Sequence, residues 1–210
     1  MNQSIQTNPD TPQNEQEQKG SQSFLFDVLE MLAWAVFVMM IVFSFSFRLC
    51  RVEGRSMENT LAGDQMLLVR SIAYTPKQDD IIVFHVTSPE YDMEKTVVKR
   101  VIATGGQEIV INFKTAEIYV DGTPYADSHG VLKDLNNNVI DRYTLIPYYS
   151  EYYNFETGIF RATVPEGSLF VMGDNRNNSK DSRNESIGFV DERCVLGKVV
   201  FSLTPFGKIS

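Results

Sequence analysis

The longest mainly apolar stretch of the chain, Met31 to Phe47, holds 17 residues with no charge, glycine or proline. Coiled as a helix it measures roughly 25 Å, and with polar ends reaching outward it covers the ~30 Å of a bilayer core. Asp27 and Glu30 close it on one side, Arg48 and Arg51 on the other. A cleaved leader would start basic, carry a shorter apolar core and exit through small residues. This run follows an acidic, Gln-rich start and leaves through Phe45, Phe47, Leu49 and Cys50. The pattern therefore predicts one uncleaved transmembrane helix over 24–50. Ahead of it, residues 1–23 are rich in Gln, Asn and Ser with almost no aliphatic side chains, the composition of a disordered polar tail.

After the anchor the apolar positions fall into short runs rich in Val, Ile and Phe: 65–70, 80–86, 96–102, 108–113, 117–120, 168–172 and 194–203. Turn signals punctuate them, among them Ala62-Gly63-Asp64, Gly105-Gly106, Asp121-Gly122 and Pro165-Glu166-Gly167. No long amphipathic pattern follows the anchor, so the expected fold is mainly β. The stretch 112–165 differs in character, with Tyr143, Tyr148, Tyr149, Tyr152 and Tyr153 and the polar tract Asn136-Asn137-Asn138. It reads as a smaller β-rich lobe inserted into a domain made of 51–111 and 166–210.

Charge and composition narrow the function classes. Of the net charge of −8, Lys19 set against Asp10, Glu15, Glu17, Asp27 and Glu30 accounts for −4 ahead of Arg48, leaving −4 for the domain. No basic footprint for nucleic acid exists in that balance. Two cysteines, Cys50 and Cys194, make no disulfide framework, and with His85 and His129 in unrelated contexts no metal site is expected. Counting only Lys and Arg beside the apolar run, Arg48, Arg51 and Arg55 outnumber Lys19, which places the domain in the cytoplasm; long domains escape that rule.

The chemistry-bearing residues concentrate in three places. Gly173 to Arg183 is an eleven-residue run without an aliphatic side chain, directly after the strand-like 168–172. Its two Asp, two Arg and two Ser recur at spacings that allow carboxylate–guanidinium forks to pin the loop, although Asx-rich turns are commonly only solvated. Ser56 sits in the turn Gly54-Arg55-Ser56-Met57-Glu58-Asn59-Thr60-Leu61. A nucleophilic serine needs a base, and neither His85 nor His129 is well placed to be one. A lysine serves if burial lowers its pKa from ~10.4. Lys99 lies between Val97 and Val101 on one face of a strand by period-two alternation. Lys198 has similar neighbours, so spacing does not choose between the two lysines.

Taken together, Ser56 to Leu61, then Lys99-Arg100-Val101-Ile102, then Gly173 to Arg183, with the anchor before them, resemble the boxes of bacterial type I signal peptidases, the Ser–Lys membrane proteases of the S26 class. The resemblance runs from about Met31 to the end of the chain. It implies that Ser56 is the nucleophile and Lys99 the general base. It further implies that Met57 shapes the substrate pocket, that Ser179 hydrogen-bonds the lysine amine, and that Asp174, Arg176, Asp181 and Arg183 form an ion-pair scaffold behind the site. Lysine at 99 separates the chain from the endoplasmic-reticulum type, which has His there. The chain departs from the pattern in three places: Asn59 where Pro is usual, the segment Ala103-Thr104-Gly105-Gly106-Gln107 where Gly-x-Pro-Gly-Asp is usual, and Gly54 where some members use a Ser hydroxyl in the oxyanion hole.

The resemblance implies a signal-peptidase-like Ser–Lys protease β-domain with the inserted lobe, no cofactor and no metal. The substrates would be preprotein signal peptides cut after small residues of the Ala-x-Ala type. The partners would be the lipid bilayer and the protein export machinery. The tail would lie in the cytoplasm and the catalytic domain outside, against the charge count. Two alternatives fit the same boxes: a Ser–Lys maturation peptidase with one dedicated substrate, and an inactive membrane-anchored binding homologue.

Overall fold

A computed structural model describes residues 13–58, 60–88, 93–126, 151–204 and 206–209. Asn59, His129, Asn136–Asn138, Tyr143, Tyr148, Tyr149 and the first twelve residues lie outside them.

The apolar run forms α1, Gln13–Ser46, whose segment Phe24–Ser46 is long and apolar enough to cross a membrane and buries none of its residues. The helix starts well inside the tail predicted as disordered. Gln, Glu and Lys at 13–19 are good helix formers, and extending a helix already nucleated costs far less than starting one. It also stops sooner than 50, because Phe47–Arg51 is already strand β1.

The remainder, from Phe45 onward, is a separate compact unit built of two antiparallel sheets. The first contains β1, β2 (Met66–Arg70), β3 (Ile81–Ser88) and β4 (Met93–Thr104). The second contains β5 (Glu108–Asn112), β6 (Glu117–Val120), β7 (Thr123–Pro124), β8 (Tyr153–Asn154) and β9 (Ile159–Thr163). The chain then returns to the first sheet through β10 (Ser168–Met172), β11 (Val190–Asp191), β12 (Val195–Leu203) and β13 (Phe206–Lys208). The first sheet runs β1-β2-β12-β3-β4-β10-β11, with β13 on β12; the second runs β7-β6-β5-β9-β8. The second sheet thus includes β5, which the sequence pattern assigned to the main domain. The chain leaves the first sheet at Gly105-Gly106, where Gly106 takes φ +83° and a side chain on Gly105 would meet the backbone of Glu166 and Gly167 at 3.0 Å.

Ile109, Ile111, Ile118, Phe160 and Ala162 of the second sheet pack with Ile102, Phe170 and Met172 of β4 and β10, so the two sheets share one core. A second cluster, with Leu67, Val69, Val83, Val98 and Val199, lies beneath the turn that carries Ser56. Strand β4 is paired unequally on its two sides. Along one side its residues Met93 to Arg100 pair with the whole of β3. Along the other it pairs with β10 only from Arg100 to Thr104. Among the described residues the backbone of 93–99 therefore has no strand partner on that side, an open edge.

Candidate active site

Ser56 is held by its neighbours in the turn. Met57 and Leu61, each 1% exposed, sink into the cluster below, and Leu61 and Thr60 N–H donate to the Met57 carbonyl at 2.8 and 3.1 Å, one helical turn. The Ser56 carbonyl accepts Asn175 N–H at 3.0 Å, which ties the turn to the polar loop. Gly54, two residues earlier, takes φ +82°, a left-handed conformation that a serine would enter only with strain. Met57 also reaches the floor of the cleft in front of Ser56, a cavity of about 540 Å³ walled by 50–54 and 95–99.

Lys99 Nζ lies 2.7 Å from Ser56 Oγ and donates to the Val98 carbonyl at 3.0 Å. The side chain is 3% exposed. Burial pulls its pKa down to about 8; Asp181 opposes the shift, Lys95 and Arg183 add to it, and Asp174 opposes it. Lys198, the rival on spacing, is ion-paired to Asp80 on β12 and does not reach the serine.

The Asp, Arg and Ser side chains of the polar loop are buried rather than solvated, while Asn178 and Lys180 stay exposed. Arg183 grips Asp181 with a fork, Nε–Oδ1 2.8 Å and Nη2–Oδ2 2.9 Å, and donates to the Arg176 carbonyl at 2.7 Å. Asp181 also accepts Gly173 N–H at 3.0 Å. Ser182 stitches the loop to β10, accepting Val171 N–H at its hydroxyl and donating N–H to the Val171 carbonyl. Asp174 is held differently from the expected scaffold. Its fork comes from Arg100, Nε–Oδ1 2.9 Å and Nη2–Oδ2 2.8 Å, and Thr60 Oγ1 donates to it at 2.5 Å, while Arg176 stands 3.6 Å away and spends its Nη1 on the Gly173 carbonyl. Burial works against ionisation of both acids. Arg183 with Gly173 N–H outweighs it at Asp181, and Arg100 with Thr60 outweighs it at Asp174, so both stay below the usual carboxylate range. Sequence pattern does not reveal Arg100 and Thr60 as members of the scaffold, because their partner is remote in the chain; the one signal is an arginine inside an apolar strand run.

Ser179 does not hydrogen-bond Lys99. Its buried hydroxyl has no well-formed hydrogen bond, although it lies near enough to Asp181 to favour that carboxylate. It packs on Gly173, where an added Cβ would come within 2.2 Å of Ser179 Oγ and 2.4 Å of the Ser56 carbonyl oxygen. Glycine at 173 is what lets the loop and the Ser56 turn close on each other. Among the described residues no cluster of His, Cys, Asp and Glu could hold a metal.

Residues 25–204 match the family model for signal peptidase, peptidase S26. The chain belongs to the signal peptidase family. Its relatives include a probable signal peptidase I-1 of Synechocystis, 34% identical over 73% of this chain and 69% of that one, and signal peptidase I of Bacillus caldolyticus, 35% identical over 74% and 78%. Signal peptidase I U of Bacillus subtilis is 31% identical over 85% of this chain and 86% of its own length. Family membership makes the chain a serine endopeptidase, and the one helix among the described residues that is long and apolar enough to span a membrane fits a single-pass membrane protein of that family.

Proposed function

We propose that this signal peptidase releases exported preproteins from their signal peptides by a Ser56–Lys99 dyad. The observation that carries the reading is the 2.7 Å contact between Lys99 Nζ and Ser56 Oγ in a buried setting that brings the lysine to about 8. An extended preprotein segment pairs with the open edge of β4 at 93–99, main chain to main chain, with small side chains turned toward the cleft floor near Met57. Neutral Lys99 takes the proton of Ser56 as Oγ attacks the scissile carbonyl carbon. The oxyanion is received by Ser56 N–H, which has no acceptor within the described residues. The ammonium returns its proton to the leaving amine as the C–N bond breaks. Lys99 then deprotonates a water that hydrolyses the acyl ester. The Ser179 hydroxyl, buried beside the dyad without a good partner, is free to turn to the amine and steady it once Ser56 engages the substrate. Asp174, Arg176, Asp181 and Arg183, joined by Arg100, hold the loop that backs the dyad.

The anchor ends in the bilayer with the tail in the cytoplasm and the β unit outside, where preproteins emerge from the export machinery. Purified full-length chain on a signal-peptide substrate tests the reading. Ser56→Ala and Lys99→Arg are expected to lose cleavage, Ser56→Ala while folding normally, and Lys198→Arg to keep it. Cleavage by Ser56→Ala at the normal rate would end the nucleophile assignment.

A further inference from the structure

A second cavity, of about 560 Å³, lies away from the dyad, lined by Arg70, Tyr74, Lys77, Asp80 and Lys198 among others. The register of β2 and β12 sets Arg70 directly opposite Lys198. Like charges facing each other across a strand pair are unfavourable unless an anion stands between them. Asp80 answers only one of the two. It is ion-paired to Lys198, accepts the Tyr74 hydroxyl at 2.8 Å and accepts Lys77 N–H at 3.1 Å, so its oxygens are occupied. Among the described residues the Arg70 guanidinium meets only the Ala73 carbonyl, at 3.2 Å, and the Lys77 ammonium has no counter-ion. Among the described lining residues, three cations against one carboxylate amount to +2 in a domain that is acidic overall.

The place of these cations in the chain points to the source of the anion. Arg70 pairs with Phe47, the first residue after α1, and Ser71 N–H donates to the carbonyl of Ser46, the last residue of the apolar span, at 2.9 Å. Arg70 therefore stands one strand pairing, and Lys198 two, from the point where the chain leaves the apolar span. We propose that this cavity binds a phosphate-bearing anion, supplied by the headgroup of an anionic phospholipid in the leaflet where α1 ends. The Arg70 fork takes two phosphate oxygens, and Lys77 and Lys198 add point charges. This also gives a purpose to basic residues on the side of the anchor where the charge rule disfavours them.

The test uses full-length chain in micelles of an uncharged detergent, titrated with phosphatidylglycerol or phosphatidylcholine, with bound lipid counted by native mass spectrometry. Phosphatidylglycerol is expected to saturate near one per chain, and phosphatidylcholine to bind much more weakly. Arg70→Gln and Lys77→Gln should each weaken phosphatidylglycerol binding about tenfold, the effect of one charge-assisted contact. Arg48→Gln, an exposed cation of β1 outside the cavity, should change it less than twofold. Should Arg70→Gln fold poorly, Lys77→Gln on its exposed loop carries the comparison. Equal losses in Arg48→Gln and Lys77→Gln, or no saturation, would overturn the site in favour of diffuse surface charge. Inorganic phosphate displacing the lipid at matched phosphate concentration would overturn the lipid source. Signal-peptide cleavage in uncharged micelles should be unaffected by Lys77→Gln, so failure here leaves the dyad assignment standing.

Discussion

Lys99 is costly to the fold and useful because of that cost. Its folded pKa of about 8 lies below the ~10.4 of an unfolded lysine, so between those values the unfolded chain holds a proton the folded chain has released. Stability therefore rises with pH across that window. Below pH 8 the folded state bears the full burden, on the order of 3 kcal/mol. Lys99→Met, close in volume and without charge, is expected to be inactive yet to unfold several degrees higher at pH 7, as calorimetry would register; an unchanged or lower midpoint would contradict the burial cost. The neutral amine is the active form, so kcat/KM should climb tenfold per pH unit below about 8 and level off above it. At pH 7 only about a tenth of the lysines are neutral. The two loop serines separate by role. Ser179→Ala removes no formed hydrogen bond, so stability should hold while turnover falls on the order of 10–100-fold with little change in KM. Ser182→Ala strands the buried Val171 N–H and should cost about 1–3 kcal/mol in denaturant unfolding, with cleavage near normal at low temperature.

At the scale of elements, the polar loop, the Ser56 turn and β4 are locked by Arg100, Asp174 and Thr60. Arg100→Met would leave buried Asp174 with the Thr60 hydroxyl and with Arg176 at 3.6 Å, a loss of about 3–5 kcal/mol that equilibrium unfolding would detect. An innocuous Arg100→Met would show that Arg176 moves in to replace the fork. Much of this architecture is legible in the sequence. The anchor, the short strands, the two reacting groups and the pinned loop can be read from periodicity, turn residues and the three boxes. Spacing cannot separate Lys99 from Lys198, because both have apolar neighbours in a strand. The distinction lies in pairing: Asp80 meets Lys198, while β4 carries Lys99 to the serine turn. Nor can it show that β5 joins the second sheet, since an alternating strand reads the same in either sheet and the decision is made by the Gly105-Gly106 turn ahead of it.

At the scale of the whole molecule, a membrane segment and a β unit with its own cores divide the labour: one confines the enzyme to a plane, the other cuts. Protease added to cells stripped of their wall is expected to digest the unit beyond Arg51, and protection would reverse the proposed orientation. Confinement also has a consequence for the open edge of β4. Main-chain hydrogen bonds carry no sequence information, so an edge able to receive a preprotein is equally able to receive the same edge of a neighbouring copy. Two molecules held in one membrane meet far more often than they would in solution, and such pairing would shut both clefts. Lys95 stands on that edge, exposed, and would face its own counterpart or a near neighbour in any such embrace. The Lys95 charge that nudges Lys99 toward neutrality would, in a register that set it against its own counterpart, also oppose such pairing.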